Sequence, residues 1–254
     1  MGAFIRIGVA MKVNRFFNTG CLCLCFLMLQ IGCKQEKTTL IIRTVDWAPV
    51  QDYYTKNLNN AIAQLDQMAL AGLDNPKVKA IFLEVRKSFK VAEPYASYLN
   101  PEVGHRVNGP ALPVFREDNS RVLYPIGLQK IGESIYTGEV SNAEFQREIR
   151  ITRGMMENLR QNIEKRPLNA QRFFVASHQQ LLRILSLGIS GFDTPSSLQG
   201  LSESAVSLQS LWDAYDLTFR SIIQDMNRNL DQDFEKCIQG AISYLEEHQD
   251  LSLI

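Results

Sequence analysis

From Leu58 to Tyr244 the apolar residues recur at spacings of three and four, and hardly any stretch alternates with period two. A period near 3.6 lines one face of a helix, whereas a half-buried strand needs alternation. The chain is therefore expected to be all-α. Leu58, Ala61, Ile62, Leu65, Met68 and Ala69 mark a first stripe, closed by Gly72 and the Asp74-Asn75-Pro76 turn. Val78, Ile81, Val85, Phe89, Ala92 and Ala96 mark a second, which Pro94 should kink or end. A third helix follows Pro125 and runs from Ile126 to Tyr136. Ser141-Asn142-Ala143-Glu144 is a capping box, and Phe145, Ile149, Thr152, Met156, Leu159 and Ile163 continue from it. Pro167 opens a fifth helix, with Phe174, His178, Leu181, Leu185 and Ile189 on its apolar side, and GISGFDTPSS at residues 188–197 breaks it. A long stripe from Leu201 through Leu208, Trp212, Tyr215 and Phe219 to Met226 precedes a last one at Leu230, Phe234, Cys237, Ala241 and Tyr244. About seven helices in an antiparallel bundle are thus expected, joined by mostly short turns.

The N-terminus reads as an address. Met11 to Arg15 is short and cationic, and Cys21 to Ile31 is almost wholly apolar. That run has the length of a signal-peptide core and falls short of the roughly 20 residues a spanning helix needs. Met11 gives the signal its usual proportions as the start. Leu29-Gln30-Ile31-Gly32-Cys33 resembles the bacterial lipoprotein signal, in which the peptide is cut before the cysteine and the thiol is acylated. The expected organisation is a signal peptide over residues 1–32, a lipidated tether and extended segment over 33–50, and a helical domain over 51–254. Each buried methylene of the acyl chains would contribute about 0.8 kcal/mol to anchoring.

Cleavage would remove Cys21, Cys23 and Cys25, leaving Cys33 for lipid and Cys237 as a small core residue. No disulfide framework is then expected. The 27 basic and 27 acidic residues balance, and the leader takes Arg6, Lys12 and Arg15 with no acid, so the mature chain is three charges negative. Nothing in that balance resembles the basic face of a nucleic-acid binder.

The most distinctive stretch is residues 89–136: FKVAEPYASYLNPE, VNGPALP and YPIGLQKIGESIY. Residues 100–124 read as a long loop packed across the bundle, and loops of that length in compact domains are often functional. Arg86, Lys90 and Glu93 stand at i, i+4 and i+7, on one side of the second helix at the edge of its apolar stripe. They form either a surface ladder or a charged rim facing the loop, with Glu93 partly buried. Asn108 in the loop, with Gln129 and Glu133 on one face of the next helix, would complete a polar pocket. The usual carriers of chemistry are missing from the mature sequence: no HExxH, no CxxC, no CxxCH haem site and no assignable Ser–His–Asp set. His105, His178 and His248 are scattered, His178 reads as a core histidine, and Met155 and Met156 read as packing. No catalytic residue and no metal ligand is expected.

Phe89, Lys90 and Glu93, then Asn108, Gly109, Pro110 and Pro113, then Pro125, Gly127, Leu128 and Gln129 resemble the helical N-terminal region of bacterial cytochrome-c peroxidase-like lipoproteins. GISGFDTP at residues 188–195 also fits. That region is similar to imelysin-type helical bundles, which are associated with iron handling at the cell envelope. The imelysin motif has a histidine three residues before a glutamate, where this chain has Lys90 before Glu93. In the peroxidase-like proteins a part with two CxxCH haem sites follows.

The resemblance implies an accessory half without the catalytic half. The expected function is a lipid-anchored envelope module on the periplasmic side or outer membrane, binding or assisting a haem peroxidase or cytochrome partner and not catalysing alone. Haem would then reside only in the partner or in a missing C-terminal part. The alternatives are a truncated fragment of a dihaem cytochrome-c peroxidase and an imelysin-like metal or haem receptor.

Overall fold

The computed structural model describes residues 44–116 and 121–249, with the side chains of residues 114–116 and 121 left out. The expected signal peptide, Cys33 and most of the expected tether lie outside the described residues. Among the described residues the chain is all-α apart from one two-stranded hairpin.

Helix α1 (Ala48–Ala71) begins within the segment expected to be extended. Pro49 stands in its first turn, where the missing N–H costs nothing, and Asp46 Oδ1 accepts from the Ala48 N–H at 3.0 Å. The turn at Gly72 reverses the chain into α2 (Val78–Leu99), and these two helices form the most extensive helix pair. Pro94 does not end α2, which continues to Leu99. Its C-terminal half is enclosed on nearly every side, and that packing outweighs the lost backbone hydrogen bond.

Residues 100–124 are not a long loop. Asn100 caps a short helix α3 (Pro101–Asn108), accepting from the Val103 N–H at 3.3 Å, and Pro101 and Glu102 occupy its first turn. Strands β1 (Val114–Arg116) and β2 (Arg121–Leu123) then pair antiparallel, Val114 opposite Leu123. Helix α4 (Leu128–Thr137) leads to α5 (Asn142–Lys165), whose cap is the expected one: Ser141 Oγ accepts from the Glu144 N–H at 3.2 Å. Helix α5 packs on α1 and α2 and closes the main core around Leu58, Phe82, Phe89, Ile131, Phe145 and Met156.

Helix α6 (Ala170–Arg183) ends in one π-helical turn, Ile184–Gly188. The long stripe expected over residues 201–226 is two helices, α7 (Gly200–Asp216) and α8 (Arg220–Met226), before α9 (Arg228–Glu247). Thr218 Oγ1 donates to the Ala214 carbonyl at 2.6 Å where α7 stops, and Asn227 Oδ1 caps α9 at 3.1 Å. With α3 and α8, the described residues hold nine α-helices rather than about seven. A second, smaller core lies between the π turn, α7 and α9 around Ile184, Leu208, Trp212 and Ile242.

Two stripes face the opposite way from expectation. On α6 the buried positions are Phe173, Ala176 and Gln180, followed by Ile184 in the π turn, while Phe174, His178, Leu181 and Leu185 are exposed. On α9 they are Asp231, Ile238, Ile242 and Leu245, while Leu230, Phe234, Cys237, Ala241 and Tyr244 are exposed. In each case one inward position carries a polar residue, Gln180 or Asp231, so the apolar count favoured the wrong face. His178 and Cys237 are consequently surface residues, not core ones.

Candidate functional site: a buried charge cluster on the axial helix

Helix α2 carries Arg86, Lys90 and Glu93 beside its core-facing stripe, Arg86 lying over the Phe82 ring, and all three are buried. They are neither a surface ladder nor a rim. Helix α7 and segment 188–197 close over them and bring in two acids that are more than a hundred residues away in sequence. Arg86 donates from Nε to Glu203 Oε1 at 2.5 Å and from Nη2 to Glu203 Oε2 at 2.8 Å, a bidentate pair. The same Nη2 donates to the Asp193 carbonyl at 3.0 Å. Lys90 Nζ donates to Glu93 Oε2 at 3.0 Å and to Asp193 Oδ2.

Glu93 is the most fully engaged acid. Besides Lys90, its Oε2 accepts from Gln180 Nε2 at 2.9 Å, and its Oε1 accepts from Asn108 Nδ2 at 3.4 Å. Gln129 Nε2 donates to the carbonyls of Asn108 at 3.1 Å and Phe192 at 3.3 Å, tying α4 to the closing segment. Arg183 Nε donates to Gln180 Oε1 at 2.8 Å and completes a chain from α6 to α2. Arg86, Lys90, Glu93, Asn108 and Gln129 therefore come together. Glu133 does not: its side chain is 45% exposed and pairs with Lys130 at 3.0 Å.

Burial alone would push the Glu93 carboxyl up, but Lys90, Arg183 and the Gln180 hydrogen bond outweigh it and hold the carboxyl below the ordinary range. Asp193 goes the other way: burial and the neighbouring Glu93 charge raise it despite Lys90. Burial opposes the charges of Arg86 and Lys90, yet their acid partners keep both firmly protonated.

The closing segment is held in place by close backbone approach. A Cβ on Gly200 would stand 2.4 Å from the Gly188 carbonyl, so only glycine lets the two ends of the segment meet there. Gly191, at φ +74°, makes the turn that presents Asp193. Asp193, Glu203, Gln180 and Arg183 were not anticipated. The glycines around Asp193 were a signal of close approach, but nothing local distinguishes Glu203 from any helical surface acid.

Chemically the cluster is a clamp. The two cavities beside it measure about 10 Å³ each, room for about one water molecule apiece. A metal does not fit this donor set, because the Lys90 ammonium already lies between Glu93 and Asp193. Among the described residues no group of three or more His, Cys, Asp or Glu is arranged to hold a metal ion, and no helix is long and apolar enough to cross a membrane. No family model matches the chain, and no curated protein matches it at a significant level.

Proposed function

We propose that this chain is a lipid-anchored binding module of the bacterial cell envelope, held at Cys33, that serves a haem peroxidase or cytochrome partner and does no catalysis alone. The resemblance of residues 89–129 and 188–195 to the imelysin-like region of peroxidase-like lipoproteins supplies the class of partner. The observation that carries the reading is a contrast between interior and surface. The buried acids of the cluster are committed to protein donors, which leaves no base or ligand facing a substrate. The outward faces of α6 and α9, by comparison, expose Phe174, Leu181 and Leu185, and Leu230, Phe234 and Tyr244. Apolar surface of this kind is what a macromolecular partner covers. Haem chemistry would belong to the partner.

The test is to produce the chain with its own leader in a bacterial host. Mass spectrometry of the N-terminal peptide should find acyl groups on Cys33, and Cys33→Ser should release the protein from the membrane fraction. The solubilised chain should bind a dihaem c-type peroxidase saturably, and Phe174→Ser with Leu185→Ser should weaken that binding about tenfold or more. Haem retained by the chain alone, together with unaided turnover of hydrogen peroxide, would overturn the reading.

A further inference from the structure

A sizeable cavity lies away from the charge cluster. It measures about 420 Å³, within the range of ligand pockets, and sits between segment 124–126, the start of α4 and the first turns of α5. Glu144, Arg147, Glu148 and Ile151 reach it from one face of α5, as their spacing of three and four requires. Lys130 of α4 reaches it from beside them. Tyr124, Pro125 and Ile126 form the apolar wall opposite.

Glu148 distinguishes this cavity from an ordinary surface hollow. It is only 6% exposed. One carboxylate oxygen accepts from Ser134 Oγ at 2.8 Å, and the other, also buried, has no hydrogen-bond partner among the described residues. A buried acceptor without a donor is costly to keep, and any ligand that brings the donor relieves the cost. Burial holds this carboxyl above the ordinary range, with Ser134 and Lys130 only partly opposing it. An arriving cation would ionise it and form a charge-assisted hydrogen bond. Nearer the mouth the charges alternate: Lys130 is paired with Glu133, and the exposed Arg147 stands one helical turn from the exposed Glu144. A deep acid with cations outside it matches a molecule that has an ammonium at its inner end and a carboxylate a few ångströms away. The apolar wall suits aliphatic side chains between the two.

We propose that this cavity binds a short free peptide, its N-terminal ammonium on Glu148 and its carboxylate toward Arg147 and Lys130. The site is independent of the redox-partner reading and stands or falls without it.

Isothermal titration of the full chain tests the site with Leu-Leu as the probe. Saturable binding with a Kd of about 1 mM or tighter is expected. N-acetyl-Leu-Leu, which lacks the ammonium, should bind about tenfold more weakly or worse, and the C-terminal amide should lose several-fold. Glu148→Gln keeps an oxygen for Ser134 but offers an N–H where the ammonium would sit, so it should also lose about tenfold. Ile151→Trp, which fills the cavity and leaves the Glu148 carboxyl in place, should abolish binding; circular dichroism of both variants establishes that they are folded. Absence of Leu-Leu binding at about 10 mM would overturn the proposal. So would equal binding of the acetylated peptide, or an unchanged affinity in a folded Glu148→Gln protein. If a longer peptide beginning Leu-Leu binds and the free dipeptide does not, the site takes a polypeptide N-terminus and the free-peptide proposal fails.

Discussion

Replacing Lys90 by methionine removes one ammonium from between two carboxylates while keeping most of the side-chain volume. Glu93 and Asp193 are each only 3% exposed, so neither can turn to water. Of the remaining cations, Arg86 is committed to Glu203, and Arg183, whose Nε donates to Gln180, acts on Glu93 only through space. Breaking a buried ion pair by deleting one partner costs about 3–5 kcal/mol. With a urea dependence of about 2 kcal/mol per molar, the unfolding midpoint should fall by roughly 2 M. Trp47 and Trp212, one packed on each core, report the transition by fluorescence. The pH dependence carries the diagnostic information. In the parent protein burial would raise the Glu93 pKa, but Lys90 and Arg183 hold it low, so the native state binds fewer protons than the unfolded chain. That contribution is present above the ordinary carboxylate pKa and is lost as pH falls through the lower native value. In Lys90→Met the balance reverses: the unpaired carboxylates hold protons more readily than the unfolded chain, and the variant loses stability as pH rises. The gap between the two proteins should therefore be widest near pH 7 and shrink toward about pH 4. Lys90→Met combined with Asp193→Asn should recover at least half of the loss. A deficit below about 1 kcal/mol at neutral pH, or one that ignores pH, would refute the clamp.

Other perturbations probe separate links. Gly127→Ala forces a Cβ to within 2.3 Å of the Arg106 carbonyl at φ +98°, and should cost at least about 2 kcal/mol in urea unfolding. Cys237 should react with a thiol reagent in native buffer as fast as in denaturant, because it is exposed on α9; protection until unfolding would contradict that placement. Glu148→Gln should stabilise the protein at pH 7 and not at pH 4. Its native carboxyl is raised by burial, so ionising it costs native stability as pH rises, and the amide removes that cost. Leu185→Ser should change stability by no more than about 0.5 kcal/mol, since the side chain is 65% exposed, and a larger loss would mean that α6 is turned the other way.

Local spacing was enough to establish the helical class and most of its stripes. Leu58, Ala61, Ile62, Leu65 and Met68 on α1, and Phe145, Ile149, Thr152, Met156, Leu159 and Ile163 on α5, are all buried as their period requires. The Ser141 cap is likewise written into four consecutive residues. The start of α3 was also legible, since Asn100, Pro101 and Glu102 are a cap, a first-turn proline and a first-turn acid. It was missed because the surrounding prolines and glycines read as loop.

What the sequence by itself determined, then, is the helical class and most of the helical segments, because those follow from backbone periodicity and capping within a few residues. Only tertiary structure decided which way α6 and α9 face and whether Arg86, Lys90 and Glu93 meet water. A charged side chain can be buried only if partners arrive to neutralise it. Here those partners are Glu203, 117 residues from Arg86, and Asp193, 103 residues from Lys90. No local pattern records them, and the same reason hid Gln180 on the inner face of α6, where its amide meets Glu93.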